Sequence, residues 1–233
     1  MPTVLITGAS KGIGAATAKV FAKAGWNLLL VARANDELES LAQELAYTKR
    51  EIYYNSLDLS NPEEVENGII ELLGKGLCPS VLINNAGVAW TGDLLSMPIE
   101  KWTWLLNINL TSVFHVCSLV VPFMRKNGGL VINVSSHAAN NAFSQWGAYC
   151  VSKAALSSFT KCLAEEERGN SIRACTLTLG SVNSTLWDKV KSNFDRDAML
   201  SVDQVASELL HLAEQPSNQV IEDLTLMPSG GVF

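Results

Sequence analysis

Val4-Leu5-Ile6-Thr7-Gly8-Ala9-Ser10-Lys11-Gly12-Ile13-Gly14 carries an apolar, β-branched stretch directly into a glycine-rich turn. A helical apolar pattern follows over residues 12–24, so the order read is strand, turn, helix. Gly8, Gly12 and Gly14 permit a tight turn and a close approach of the backbone, and the helix start offers free N–H groups to a phosphate. Small residues in such a turn also serve plain strand–helix packing, so its meaning depends on what surrounds it.

Outward from this unit the same alternation repeats. Continuous apolar runs such as Leu28-Leu29-Leu30-Val31 and Leu130-Val131-Ile132 suit strands covered on both faces. The pattern predicts strands at 3–7, 27–33, 51–56, 80–84, 129–135, 172–178 and 220–226. Helices are predicted near 12–24, 35–47, 62–74, 99–126, 147–168 and 202–214. Asn61-Pro62-Glu63-Glu64 is a helix start with a capping side chain, a proline at the first position and acids in the first turn. Ser201-Val202-Asp203-Gln204 opens the last helix in the same style. Alternating strands and helices imply right-handed crossovers. The fold class expected is therefore α/β: a doubly wound, mostly parallel, seven-stranded sheet with helices on both faces, Rossmann-like. No composition break divides residues 1–233, which are read as one domain.

Composition narrows the functional classes. With 233 residues, 48% of them apolar, the chain is long enough for one well-packed domain. A net charge of −6 and the lack of a basic stripe disfavour nucleic acid or an anionic membrane as partner. No apolar run approaches the roughly 18 residues of a membrane span, the longest being Leu28–Ala32 and Leu119–Met124, the latter interrupted by Pro122. The five cysteines are scattered and never form a C-x-x-C pair, which reads as free thiols in a reducing cytoplasm. His115, His137 and His211 lack metal-ligand spacing, and no metal is expected.

Two further fragments carry chemistry. Asn84-Asn85-Ala86-Gly87 ends the fourth predicted strand, where ligands of such sheets bind. Tyr149-Cys150-Val151-Ser152-Lys153 places a phenol and an ammonium four residues apart on one helix face. A phenol of pKa near 10 is a poor proton exchanger at neutral pH. An ammonium about 4 Å away, at an effective dielectric of about 20, favours the phenolate by roughly 4 kcal/mol. The expectation is a Tyr149 pKa lowered by about three units.

Together the turn, the Asn-Asn-Ala-Gly segment and the Tyr-Lys pair resemble the short-chain dehydrogenase/reductase family over nearly the whole chain. The spacing of Gly8, Gly12 and Gly14 is similar to that family's T-G-x-x-x-G-x-G turn and unlike the G-x-G-x-x-G of larger dehydrogenases. The resemblance implies Tyr149 as general acid/base, Lys153 tuning it and bonding the nicotinamide ribose, Ser136 orienting the substrate oxygen, and Asn109 supporting a water relay to the lysine. It implies a cofactor site of Gly8, Ser10, Lys11, Gly12, Ile13, Gly14, Arg33, Asp58, Leu59, Asn85, Ala86, Gly87, Tyr149, Lys153, Gly180, Val182 and Ser184, with Asp58 toward the adenine amino group. Lys11 in the turn and Arg33 after the second strand, where no acid precedes Asp36, favour NADP(H) over NAD(H).

The chain departs from the family at Thr178-Leu179-Gly180-Ser181-Val182-Asn183-Ser184, where Leu179 stands in place of the family's proline. The loop loses a fixed φ and is expected to be more mobile. A short substrate lid is read near 185–200, with Leu186, Trp187, Val190 and Phe194, and His137, Phe143 and Trp146 are candidates for the same pocket. Helices 99–126 and 147–168 are apolar around much of their circumference, and the resemblance implies a homodimer or homotetramer paired through them. The function expected is hydride exchange between NADP(H) and a small-molecule carbonyl or secondary alcohol. The alternatives are a non-catalytic NADP(H)-binding regulator or scaffold and, as substrate, a 3-oxoacyl thioester.

Overall fold

Residues 1–189 and 195–231 are described by the structure, a computed structural model. Seven strands are ordered β3-β2-β1-β4-β5-β6-β7. They are β1 Thr3–Thr7, β2 Asn27–Ala32, β3 Ile52–Ser56, β4 Val81–Asn84, β5 Gly129–Ser136, β6 Ile172–Leu179 and β7 Asp223–Leu226. Every pairing is parallel. The winding reverses between β1 and β4, which places a crevice at the carboxyl ends of those two strands.

The continuous apolar runs are explained by the two faces of the sheet. Val4, Ile6, Leu28 and Leu30 join Phe21, Trp26, Leu38 and Leu209 in a core on one side. Leu5, Leu29 and Val31 face the other side, with Val65, Ile69, Val116, Val120 and Leu156. The first core is roofed by helices α1 (Gly12–Lys23), α2 (Asn35–Leu45) and α7 (Val202–Ala213). The second is roofed by α3 (Pro62–Leu73), α5 (Ser112–Met124) and α6 (Gly147–Glu167). Asn61 Oδ1 accepts from the N–H groups of Glu63 and Glu64, as its position before Pro62 predicts. Ser201 and Gln204 form a reciprocal capping box at α7.

Two segments differ from the sequence reading. The last strand begins at Asp223 rather than 220, at the sheet edge, where one partner strand replaces two. The helix predicted over 99–126 divides into α4 (Ile99–Leu106), a π-helical turn at Asn107–Thr111, and α5. A π turn inserts one residue into the helical repeat and re-aims the side chains beyond it. Pro122 lies inside α5 near its end and does not stop it. The whole stretch Ile99–Met124 is, against the sequence expectation, long and apolar enough by length and composition to cross a membrane. Half of its most apolar window is buried, and α5 packs on the sheet and on α3, as a core helix does.

Candidate active site

The glycine turn is shaped by contacts that a side chain would destroy. Gly8 has φ of +67°, and a Cβ there would lie 2.9 Å from the Ala86 Cα. A Cβ on Gly14 would lie 2.1 Å from the Gly8 carbonyl oxygen. The turn is locked to the end of β4 by Thr7 and Asn85. The Thr7 hydroxyl oxygen accepts from the N–H groups of Asn85 at 3.1 Å and Ala86 at 3.2 Å. In return Asn85 Nδ2 donates to the carbonyls of Thr7 and Gly8. No side chain caps the N-terminus of α1, where Lys11 stands at the cap position. Its first N–H groups therefore face an anion-binding position.

A cavity of about 250 Å³ lies over this turn. It is lined by Gly8, Ser10, Lys11, Gly12, Ile13, Arg33, Asp58, Leu59, Asn85, Ala86, Gly87 and Ser184, all expected from sequence. Gly14 does not line it; it is buried beneath and lets α1 approach the turn. Lys11 and Arg33 are exposed at its rim. Asp58 is partly engaged in its own turn, since Oδ1 accepts from the Ser60 N–H and hydroxyl at 2.9 and 2.8 Å. Glu37 from the first turn of α2 also reaches this cavity.

A second cavity, about 360 Å³, adjoins the first and shares Ile13, Asn85, Gly87, Ser184 and Leu186 with it. Ser136 at the end of β5 and Tyr149 and Lys153 on α6 converge on it, with Gly180 and Val182 after β6. The phenol of Tyr149 and the hydroxyl of Ser136 face the same cavity, and the Ser136 hydroxyl oxygen accepts from the Ala138 N–H at 3.2 Å. Lys153, only 4% exposed, donates from Nζ to the Val134 carbonyl at 2.9 Å. Burial lowers its pKa from 10.5 to about 8. Burial also pushes the Tyr149 phenol up, against a smaller opposing effect of the Ser136 hydroxyl. This reverses the sequence expectation for Tyr149. Desolvation of the phenol outweighs an ammonium that is itself buried and turned to a backbone carbonyl.

Asn109 lines neither cavity. It sits fully buried in the π turn, with Oδ1 accepting from the Val88 N–H at 2.8 Å and Nδ2 donating to the Val88 carbonyl at 2.9 Å and to Ser152 Oγ at 3.0 Å. The side chain thus clamps the segment after Gly87 to the α6 helix that carries Tyr149 and Lys153. Neither the Thr7 lock nor the Ser152 anchor was singled out from sequence. Both are common hydroxyl residues whose role depends on which strand end or helix lies opposite, information that no local spacing carries.

Leu179 is not in a loop. It is the buried last residue of β6, paired with Ser136 and Leu226, and the next N–H, of Gly180, donates to the Leu226 carbonyl at 2.9 Å. The mobility expected from losing the proline is opposed by this strand pairing. Of the segment read as a lid, Leu186 and Trp187 line the larger cavity, while Val190 and Phe194 lie outside the described residues. Arg196 ties its flanks together, donating to Asn183 Oδ1 at 2.8 Å, the Ser184 carbonyl at 3.0 Å and Asp188 Oδ1 at 3.2 Å.

Comparison with known proteins places this geometry in context. Residues 2–195 match the family described as short chain dehydrogenase. The chain is 28% identical to serine 3-dehydrogenase of Agrobacterium fabrum, covering 99% of this chain and 95% of that protein. It is 26% identical to a 3-oxoacyl-acyl-carrier-protein reductase of Chlamydia trachomatis, over 98% of this chain and 96% of the other. Among solved structures, an alcohol dehydrogenase from the archaeon Thermococcus sibiricus, complexed with 5-hydroxy-NADP, superposes with a TM-score of 0.92 at 27% identity, covering 98% of this chain and 97% of that one.

Proposed function

From the premise that this chain belongs to the short-chain dehydrogenase family, we propose that it is an NADP(H)-dependent carbonyl reductase with Tyr149 as its general acid. The observation that carries the proposal is the convergence of Ser136, Tyr149 and Lys153 on a cavity continuous with the one above the glycine turn. The dinucleotide fits the residues present, because Gly8 and Gly14 let the turn close against Ala86 and α1 beneath the cavity and α1 offers an uncapped N-terminus.

In this reading Gly8, Ser10, Gly12 and Ile13 hold the pyrophosphate, Asp58 and Leu59 the adenine, and Asn85, Ala86 and Gly87 the sugar beyond it. Gly180, Val182 and Ser184 bound the nicotinamide. When bound, the reduced nicotinamide supplies a hydride to the carbonyl carbon. Ser136 orients the carbonyl oxygen, Tyr149 gives it a proton, and Lys153 keeps positive charge beside the resulting phenolate. A phenol held protonated by burial is the form that reduction requires. Asn109 acts from behind by fixing the Val88 segment against α6. Alcohol oxidation is the same path reversed.

Lys11 and Arg33 support the 2′-phosphate over the hydroxyl, since both stand at the rim of the turn cavity and a guanidinium can fork against two phosphate oxygens. The similar alcohol dehydrogenase, which is complexed with 5-hydroxy-NADP, points the same way. Glu37 lines the same cavity and could accept from a ribose hydroxyl, so the test compares both cofactors. Titrations that follow nicotinamide fluorescence are expected to give NADPH at least about tenfold tighter than NADH, or about 1.4 kcal/mol. Arg33→Ala should erase most of that difference. Tighter NADH would overturn the cofactor assignment.

The family resemblance and the surface support pairing through α5 and α6, where Phe114 is 57% and Val151 44% exposed. Of the two features that favoured the regulator reading, Leu179 and a short lid, the first is weakened, because Leu179 is held within β6. A 3-oxoacyl thioester remains the competing substrate.

A further inference from the structure

The two cavities divide charge unequally. Lys11, Arg33, Glu37 and Asp58 all border the one over the glycine turn. Among the described residues of the larger cavity, Lys153 is the one formally charged side chain, and its ammonium is turned to the Val134 carbonyl. His137 is the other titratable group there besides Tyr149. Its Nε2 stands 2.9 Å from Asn141 Nδ2. An ammonium entering this cavity would lose its hydration with no described carboxylate to replace it, and a carboxylate would meet only the Lys153 ammonium, already engaged by the Val134 carbonyl.

Aromatic rings fill that wall instead. Trp146 lies edge-on to Tyr149, with centroids 5.6 Å apart, and is tilted against Trp187 at 5.7 Å. These three rings form a ladder leading outward from the phenol. His137 and Phe143, 6.2 Å apart, add a second aromatic pair to the same cavity. Part of the space lies over Gly180, Val182 and Ser184, where the nicotinamide is proposed to rest, so the remainder suits a compact substrate rather than a long acyl chain.

We propose that the substrate is an uncharged ketone bearing an aromatic ring next to the carbonyl, its ring seated against Trp146 and Trp187. The inference rests on the carbonyl-reductase reading above and adds the substrate class. Atoms balance simply: the carbonyl carbon gains the hydride, the oxygen gains the Tyr149 proton, the nicotinamide is oxidised and the product is a secondary aryl alcohol. Aromatic pairing with offset or edge-to-face geometry favours such a ring over an aliphatic group of equal size. The similar serine 3-dehydrogenase is named for an amino acid, a doubly charged molecule. This cavity is built for the opposite kind.

The test compares acetophenone with phenylglyoxylate, which carries a carboxylate on a similar aryl carbonyl, and with butan-2-one, which lacks the ring. With saturating NADPH, kcat/KM for acetophenone is expected to exceed both by at least about tenfold, although phenylglyoxylate is intrinsically the more electrophilic. Calorimetric titration of the protein loaded with NADP⁺ should show the same order of affinity without turnover. Trp187→Leu should lower the acetophenone to butan-2-one ratio about tenfold, and Trp187→Phe should restore most of it. Equal or better use of phenylglyoxylate or butan-2-one would overturn the substrate class and leave the reductase standing. Tight NADPH binding with turnover of none of the three and no ketone binding by calorimetry would overturn both.

Discussion

The Lys153 ammonium donates to the Val134 carbonyl at 2.9 Å and lies 5.8 Å from the centroid of the Tyr149 ring. The lysine is thus anchored to the strand that presents Ser136, and α6 and β5 are fixed relative to each other at the reacting position. Its burial sets the pH behaviour. Below about 8 the amine is charged and can stabilise a Tyr149 phenolate, and above that it is not. kcat/KM for a carbonyl should therefore fall as pH rises through about 8, while Tyr149 stays protonated throughout. A profile flat to pH 10 would contradict this.

The same group has a signature in stability. Unfolded, the lysine keeps its proton to about 10.5; folded, it releases it near 8. Between those values the unfolded state holds more protons, so stability contributed by this site rises with pH. At pH 7 the buried charge costs roughly 3 kcal/mol, at 1.36 kcal/mol per pKa unit. Replacing the lysine by methionine removes that cost but leaves the Val134 carbonyl without its donor, at about 1–3 kcal/mol. Denaturation of Lys153→Met should show near wild-type stability at pH 7 and lack the wild-type gain between pH 8 and 10. A loss of several kcal/mol at pH 7 would show that the ammonium is a net stabiliser.

The three glycines of the turn should not respond alike. Gly14→Ala places a methyl 2.1 Å from the Gly8 carbonyl, so backbone must move, at a cost of about 1–3 kcal/mol. A Cβ on Gly12 meets only Ser184 at 3.9 Å, and its cost is the positive φ of +56°, about 1 kcal/mol. NADPH affinity should drop more for Gly14→Ala, measured by fluorescence titration, although of these two Gly12 is the one that lines the cavity.

How much of this was legible beforehand follows the range of the interactions. The alternation of strands and helices, the helix caps at Asn61 and Ser201 and the Gly8–Gly14 turn rest on neighbours within a few residues, and the local pattern revealed them. The π turn around Asn109 did not show, because nothing in Asn107-Ile108-Asn109-Leu110 marks an extra residue in the helical repeat; the partner that Asn109 meets there is the distant Val88 backbone. The Tyr149 proton affinity differs in sign from the expectation because spacing gives proximity to Lys153 but not the desolvation of the phenol. Leu179 was read against a family pattern, whereas its conformation is set by pairing with β7.

Asn109 makes three hydrogen bonds from a fully buried side chain, to both backbone groups of Val88 and to Ser152. Asn109→Ala leaves these unpaired and should cost about 2–4 kcal/mol in urea denaturation. Ser152→Ala removes one of them and should cost about 1 kcal/mol. A double-mutant cycle is expected to give a coupling of at least about 0.5 kcal/mol. Strict additivity would mean that the clamp does not act as a unit.

Arg196 spans Asn183, Ser184 and Asp188 from the far side of the segment that carries Leu186 and Trp187. Its bonds are partly exposed, so Arg196→Ala should change stability by less than about 1 kcal/mol. KM for both cofactor and carbonyl should rise several-fold with kcat little changed, because Ser184 borders one cavity and Trp187 the other. Unchanged KM values would show that the segment holds its shape without the clasp.

The central claim is that Tyr149 passes the proton. The most direct measurement is single-turnover oxidation of bound NADPH by a carbonyl, followed at the nicotinamide absorbance, in wild type and Tyr149→Phe. Tyr149→Phe keeps the ring packed on Trp146 and removes only the hydroxyl. The account predicts NADPH affinity within about twofold of wild type and a rate lower by roughly 10²–10⁴-fold. Hydride transfer at an undiminished rate in the variant would contradict it.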